Sequence, residues 1–332
     1  MTAPLLQIQS LSRTFIVRGP GLRNLTLRAV DDVSFEVAPA KTVALVGESG
    51  CGKSTTGKAA LRLIEPTSGS VHFDGIDLLT LGRRDLRRIR ARMQAVFQDP
   101  RGQLDPRMLV GDSIAEGLRA HGIGDRSSRR RRVQAVLDLV GLPSQFAQRY
   151  PRELSGGQRQ RVGIARAIAP EPKLILLDES VSALDVSIQT QVLNLLQSLR
   201  EQLGLSYLFI SHGLAAVRYV ADTVVVMYLG RSVETAPAAE FFAAPAHPYS
   251  AALLSAVPRV HASTTREQIV LRGDVPSPFD GRVGCVFAAR CPLVQQVCRV
   301  ERPPAVPIGP GRSVECHFPL VAAERSPRTP TE

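Results

Sequence analysis

The sequence predicts an α/β fold with a mostly parallel sheet, and three observations carry that reading. Short apolar runs of strand length alternate with stretches of helical periodicity. A glycine-rich loop, Gly47-Glu48-Ser49-Gly50-Cys51-Gly52-Lys53-Ser54, lies directly between one such run, Thr42 to Val46, and a helical stretch. A second apolar run, Leu174 to Leu177, ends in the acidic pair Asp178-Glu179.

In chain order, residues 6 to 46 alternate as half-buried strands do, for example over Val30 to Val37. Thr55 to Ile64 reads as the helix behind the loop, Gly69 to Gly75 as a strand entering a turn, and Met93 to Phe97 as a second buried strand ending at Gln98. From 105 to 150 the period becomes helical, through Val110, Ile114 and Leu118 and then Val133, Val136, Leu137 and Val140, so a helical insert is expected over about 105–160. Helices at 156–169 and 187–203 and strands at 173–177, 206–210 and 223–228 follow. Beyond about residue 235 the periodicity weakens and Pro and Ala dominate, apart from an apolar helix at Ser250 to Ala256. The expected organisation is a large domain over 1–235, a small irregular C-terminal extension over 236–320, and a frayed tail over 321–332.

At 332 residues with 44% hydrophobic side chains, the chain has enough apolar material for a large core. No run approaches ~18 consecutive apolar residues, so no membrane-spanning segment is expected. Met1 to Pro4 carries no basic stretch ahead of an apolar one, which makes a cytosolic location the expectation. The net charge of +11 permits contact with nucleic acid or an anionic membrane face, but runs such as Arg83 to Arg92 and Arg126 to Arg132 are first of all solvated faces.

The loop has the form Gly-x4-Gly-Lys-Ser. Its glycines let backbone N–H groups ring phosphate oxygens, which side chains would block. Gly47, Ser49, Gly50, Cys51 and Gly52 form that ring; Lys53 reaches the terminal phosphates, Ser54 ligates Mg²⁺, and Thr55 begins the helix whose positive end faces the anion. Asp178, at the end of a buried strand, is the second Mg²⁺ ligand, and Glu179 is the general base that polarises the attacking water. Leu154-Ser155-Gly156-Gly157-Gln158 opens another helix with a hydroxyl and free amides, a second anion site; its bland reading is a serine cap. Two phosphate sites on separate parts of one chain imply a nucleotide shared between two chains.

With these motifs in this order, residues 6 to about 235 resemble the ATP-binding subunit of an ABC transporter. The resemblance implies a P-loop ABC ATPase domain with an antiparallel N-terminal subdomain and a helical insert, binding ATP and Mg²⁺. It implies that Gln98 is the glutamine that senses Mg²⁺ and the membrane partner. Ser182-Ala183-Leu184-Asp185 becomes the loop at the dimer interface, Asp185 included, and His212 the switch histidine on the γ-phosphate. Phe15 either stacks on adenine or is a core phenylalanine. The family often has an acidic residue after the switch histidine, where this chain has Gly213.

The segment from 235 to 320 resembles the C-terminal extension of dipeptide and oligopeptide importer ATPases, through Pro245-Ala246-His247-Pro248-Tyr249 and Gly284-Cys285 to Arg290-Cys291-Pro292. Cys285, Cys291, Cys298 and Cys316 are separated by five, six and seventeen residues. Four thiolates suit a cubane iron–sulfur cluster, and the resemblance implies a [4Fe-4S] cluster on this pattern; zinc and unliganded thiols remain open, though no Cys-x-x-Cys pair is present. The resemblance further implies a peripheral protein on the cytoplasmic face of the inner membrane. Its partners are two transmembrane permease subunits, a second ATPase in a heterodimer or homodimer, and an extracytoplasmic solute-binding protein, with peptide as the cargo and no nucleic acid. The alternatives are an importer of nickel or another small solute, and a soluble ABC ATPase acting on ribosomes or nucleic acid.

Overall fold

The structure, a computed structural model, describes residues 3–18, 24–97, 104–180, 185–256 and 283–320, with a few single positions between 269 and 279. Two sheets form the frame. The smaller is antiparallel, with strand order β2-β1-β4-β5: β1 is Leu6–Arg18, β2 Asn24–Val37, β4 Ser68–Phe73 and β5 Ile76–Asp77. The larger has eight strands in the order β11-β12-β10-β9-β3-β8-β7-β6. In it, β3 (Thr42–Val46), β6 (Met93–Val96), β7 (Leu174–Asp178), β8 (Ser206–Ile210) and β9 (Thr223–Tyr228) run parallel. The antiparallel end of this sheet is β10 (Arg231–Pro237), β11 (Ala305–Gly309) and β12 (Arg312–Glu315).

Every residue of β3, β7 and β8 is buried, as expected of strands covered on both faces. The pleat sorts their side chains. Leu45, Leu176 and Ile210 turn toward the antiparallel sheet, where they join Leu6, Ile8, Val33 and Phe73 in one apolar cluster. Ala44, Val46, Ile175, Leu177 and Phe209 turn the other way into a second cluster with the helices. Helix α1 (Lys53–Ala60) lies so close to the sheet that a Cβ on Gly57 would meet Leu176 and Ile210 methyls at 2.8 Å.

The helical insert holds α3 (Val110–Ala120), α4 (Arg126–Leu139) and α5 (Gly156–Ile168), after α2 (Arg83–Arg90) near the sheet. The periodic positions Val110, Ile114, Leu118, Val133, Val136 and Leu137 all face inward, joining Val162 and Ile168. Asp125 caps α4 by accepting from the Ser128 N–H at 2.7 Å. The arginine runs are solvated faces: Leu86 is the buried residue of α2, and Arg132 of α4 reaches carbonyls of Ile168 and Ala169. Helix α6 (Val186–Leu203) and helix α7 (Leu214–Val220) complete the layer.

The C-terminal region departs from the irregular appendage that its composition predicts. Strand β10 runs across residue 235, and β12 pairs with it through Glu234↔Val314 and Thr235↔Ser313, so a C-terminal hairpin widens the main sheet. Between them lie α8 (Ala238–Ala243), α9 (Pro248–Ser255) and α10 (Gln296–Val300). Glu234, 1% exposed, accepts the N–H groups of Ala246 and His247 at 2.8 Å each and so ties the approach to α9 to the sheet. Phe287, fully buried, meets Tyr228, Tyr249 and His247 with ring centroids 5.2–5.6 Å apart. Burial of a phenylalanine side chain stabilises by about 2–3 kcal/mol, which anchors the segment after residue 283. The pairing is hard to read in advance because β12 finds its partner some eighty residues upstream and β11 contains Pro307.

His247 caps α9, its Nδ1 accepting from the Tyr249 N–H at 3.0 Å. Complete burial pushes its pKa from 6.5 down to about 3. The ring therefore stays neutral in the fold while the unfolded chain takes up a proton below pH 6.5. Its contribution is fully present above pH 6.5 and is lost on acidification at ~1.4 kcal/mol per pH unit, or about 2 kcal/mol by pH 5. His247→Asn keeps a cap acceptor without the titration, so thermal melts at pH 7 and pH 5 are expected to show a smaller acid-induced drop in Tm than in the wild type. Equal drops would assign the acid sensitivity to other groups.

Candidate nucleotide site

Parallel pairing places the carboxyl ends of β3, β7, β8 and β9 along one edge, where ligands bind in open α/β sheets. From these ends issue the glycine-rich loop, Asp178-Glu179, Ser211-His212 and the Leu229-Gly230 turn. An open cleft of about 460 Å³ lies at this edge, lined by Ser49, Gly50, Gly52, Lys53, Ser54, Thr55, Glu179, Gly230 and, from the antiparallel sheet, Phe15 and Ala29.

The loop needs its glycines. Gly52 has φ 104° and a Cβ there would lie 2.1 Å from the Ala29 carbonyl oxygen; at Gly47, with φ 149°, it would lie 2.2 Å from that of Met227. The loop is held against the β9–β10 turn by the Gly230 N–H, which donates to the Cys51 carbonyl at 2.8 Å. Lys53, 4% exposed, donates to the carbonyls of Gly47 and Glu48 at 2.9 and 2.8 Å. Cys51 is buried beneath the loop with its thiol pKa raised by burial, against the opposing pull of the Lys53 ammonium.

Ser54 Oγ donates to Asp178 Oδ1 at 2.6 Å, so two hard oxygens stand together at the cleft floor, a donor pair that fits Mg²⁺. Burial raises the Asp178 pKa, while the Ser54 hydroxyl and the charges of Lys58 and Lys53 oppose that shift. The next residue, Glu179, adopts φ 49°, a left-handed conformation that costs a non-glycine residue about 1–2 kcal/mol. Its N–H donates to Ile210 O at 3.0 Å, which fixes the turn, and its carboxylate lies 3.6 Å from His212 Nδ1. The sequence therefore named Ser54 and Asp178, 124 positions apart, which the fold brings into hydrogen-bond contact, with Glu179 and His212 beside them. Gly213 has φ −88° and donates its N–H to Ser211 Oγ at 3.0 Å, an ordinary helix start that holds the turn without an acidic side chain.

Phe15 stands on the cleft wall, half-buried, with the Arg13 guanidinium 4.4 Å from its ring centroid, and it belongs to neither main apolar cluster. Ser155 caps α5, accepting from the Gln158 N–H at 3.2 Å while Gln158 Oε1 accepts the Ser155 N–H at 3.0 Å. Gly157 packs against Ile188, where a Cβ would clash at 2.7 Å. Ser155, Gly156, Gly157 and Gln158 do not line the cleft around Lys53 of the same chain, and neither does Asp185, which starts α6. Gln98 and residues 182–184 lie outside the described residues.

The iron–sulfur expectation is not supported. Cys285, Cys291, Cys298 and Cys316 do line one cavity, with Phe287, His247 and His317. Yet among the described residues no group of three or more His, Cys, Asp or Glu side chains could hold a metal ion. Burial raises the Cys285 thiol to about 11 and also raises Cys291 and Cys316. Cys285 and Cys291 pack on the main apolar cluster and Cys316 on Ala246, Ile308 and Val314, as small hydrophobes do.

Several cleft residues were missed in sequence. Leu27, Arg28, Ala29, Leu229 and Gly230 come from β2 and the β9–β10 turn and carry no local motif. Glu48 is met from the C-terminal region by Tyr249 and Arg290, which no spacing rule joins to the loop.

Comparisons with known proteins agree with this geometry. Residues 30–182 match the ABC transporter family and residues 233–298 the oligopeptide/dipeptide transporter C-terminal region. The chain is 49% identical over 313 residues to a putative peptide import ATP-binding protein of Brucella ovis, covering 94% of this chain and 97% of that one. It is 45% identical over 319 residues to the oligopeptide transport ATP-binding protein AppF of Bacillus subtilis, covering 95% and 97%. Among solved structures it is similar to the dimeric, post-hydrolysis ATP-binding cassette MJ0796 bound to ADP and Pi, with TM-score 0.62, 28% identity, and coverage of 70% of this chain and 98% of that one. CbiO1 of Clostridium perfringens gives TM-score 0.64 at 26% identity, with coverage of 73% and 92%. The chain belongs to the family of ABC transporter ATP-binding proteins, and it is an ABC-type ATPase. Its C-terminal part is of the kind found in oligopeptide and dipeptide transporters.

The two glycines of the loop separate a clash from a strain. Gly52→Ala, driven against a backbone oxygen, is expected to abolish binding of a fluorescent ATP analogue. Gly50→Ala, with φ 77° but nothing within 4 Å of the added carbon, is expected to retain binding at a cost of about 1–2 kcal/mol in stability.

Proposed function

We propose that the chain is the ATP-hydrolysing subunit of an importer that energises uptake of dipeptides or oligopeptides across the cytoplasmic membrane. The observation that carries the ATPase half is the cleft lined by the phosphate loop and Glu179, with Asp178 bonded to Ser54 and His212 beside Glu179. The peptide half rests on relatives named for peptide and oligopeptide transport and on the matched C-terminal region.

In this reading Lys53 exchanges its loop carbonyls for the terminal phosphates, and Phe15 stacks on adenine. Gly47, Ser49, Gly50, Cys51, Gly52 and Thr55 supply backbone N–H groups. Ser54 and Asp178, with Gln98, hold Mg²⁺, which neutralises charge on the phosphates when bound. Glu179 takes the proton of the attacking water, and His212, beside it, contacts the γ-phosphate. Ser155, Gly156, Gly157 and Gln158 sit away from their own chain's cleft. They serve the nucleotide of a second ATPase subunit, with Asp185 at the interface between the two. Among the described residues no helix is long and apolar enough to cross a membrane; permease subunits as partners are taken from the likeness to peptide-transport ATP-binding proteins. A peripheral position on the inner face, a solute-binding protein and a dimer with a second, related ATPase complete the proposal. The division near 235 is one of sequence region rather than of packing, because β10 runs across it and the 236–320 region shares its sheet.

Glu179→Gln is expected to bind ATP with near-normal affinity while steady-state hydrolysis falls by about 100-fold or more. The same variant, tagged and recovered from native membranes with Mg-ATP, is expected to bring down multispanning permease subunits. Unchanged turnover would remove Glu179 from the base role, and recovery of ribosomes without membrane proteins would overturn the importer reading.

A further inference from the structure

Glu48, the second residue of the phosphate loop, is gripped from three sides. Its N–H donates to the Tyr249 hydroxyl at 2.9 Å, its carboxylate accepts from Arg290 Nη1 at 2.8 Å, and its carbonyl accepts from Lys53 Nζ at 2.8 Å. Its Tyr249 and Arg290 partners come from the C-terminal region, 201 and 242 residues along the chain. We propose that Tyr249 and Arg290 are positioning residues of the nucleotide site, through which the C-terminal region sets the shape of the phosphate loop. The proposal rests on the reading of Gly47 to Ser54 as that loop.

Both partners are themselves fixed. Tyr249 is fully buried in α9, with its ring 4.7 Å from Tyr228 and 5.4 Å from Phe287. Burial raises its phenol, so the hydroxyl stays neutral and available to accept the Glu48 N–H. The Arg290 side chain is 9% exposed, at the end of the turn that Phe287 anchors. The Glu48 carboxylate that accepts from it, with Tyr228 nearby, holds the guanidinium charged.

The loop has reason to need such support. Gly47, Gly50 and Gly52 all have positive φ, and glycines give up more conformational freedom than other residues on ordering. Holding the loop at Glu48 before nucleotide arrives removes part of that ordering from the binding step. Neither Tyr249 nor Arg290 lines the cleft, so the effect belongs to binding rather than to chemistry.

The test uses full-length protein with ATP as the probe, measuring KM, kcat and the Kd of a fluorescent ATP analogue. Losing one such hydrogen bond is expected to raise KM and Kd by about 2- to 10-fold in Tyr249→Phe and in Arg290→Met, with kcat within about 2-fold of wild type. Arg290→Lys, which keeps a single charged donor, is expected to rescue affinity. Glu48→Gln combined with Arg290→Met is expected to be less than additive. Unchanged affinity in Tyr249→Phe, which removes one oxygen and leaves the packing in place, overturns the proposal. So do additive effects in the double variant. Lys53→Ala separates the two layers: if it keeps nucleotide affinity, the phosphate-loop reading falls and the proposal with it. If it loses affinity while Tyr249→Phe does not, the loop reading stands and the positioning role falls.

Discussion

Parallel pairing of Thr42–Val46 with a neighbour on each side is the constraint on which the rest of this molecule depends. Thr42 to Leu45 pair with Tyr207 to Ile210, and Val43 to Val46 with Thr223 to Val226. Because the strands run the same way, their carboxyl ends finish at one edge. The loop after β3 and Glu179 after β7 then line a common cleft, with His212 after β8 3.6 Å from the Glu179 carboxylate. A slip of one residue in β3 would exchange Leu45 with its neighbours between the two apolar clusters, so burial on both faces enforces the register.

Around that edge the backbone is packed more tightly than side chains would allow. Gly52 abuts Ala29 of β2, and Cys51 O is bonded to Gly230 N in the β9–β10 turn. These contacts join the antiparallel sheet to the phosphate loop, which explains why Phe15, far from any phosphate motif, lines the same cleft. The join is reinforced by Arg231, whose guanidinium reaches Asp31 of β2 at 2.8 Å and Glu315 of β12 at 2.9 Å, with its side chain 9% exposed. Removing one carboxylate from such a buried set leaves charge without compensation, so its members hold one another in place.

The C-terminal region takes its character from the same packing. A hairpin on the open side of β10, the buried carboxylate of Glu234 and the ring of Phe287 make it continuous with the sheet. Its cysteines fit this description as half-buried (Cys285, Cys291, Cys316) or buried (Cys298) side chains beside apolar neighbours. Four thiols in a sequence specify a donor set, and the fold brings them to one cavity, yet among the described residues they form no group that could hold a metal ion.

Much of the ATPase part was legible because its signals are local. Strands such as Ser206–Ile210 and Thr223–Tyr228 match their expected limits, since a short apolar run between turn residues has few other folds open to it. The glycine loop, Asp178-Glu179 and Ser155 to Gln158 could likewise be read, because each motif fixes the conformation of its own few residues. What sequence could not decide was which distant residues meet. The pairing of β12 with β10, the shared cavity of the four cysteines and the grip of Tyr249 and Arg290 on Glu48 each join positions tens to hundreds of residues apart. No periodicity or spacing records such contacts. They follow from the register of the sheet and the burial of a few aromatic rings, and those are properties of the folded chain as a whole.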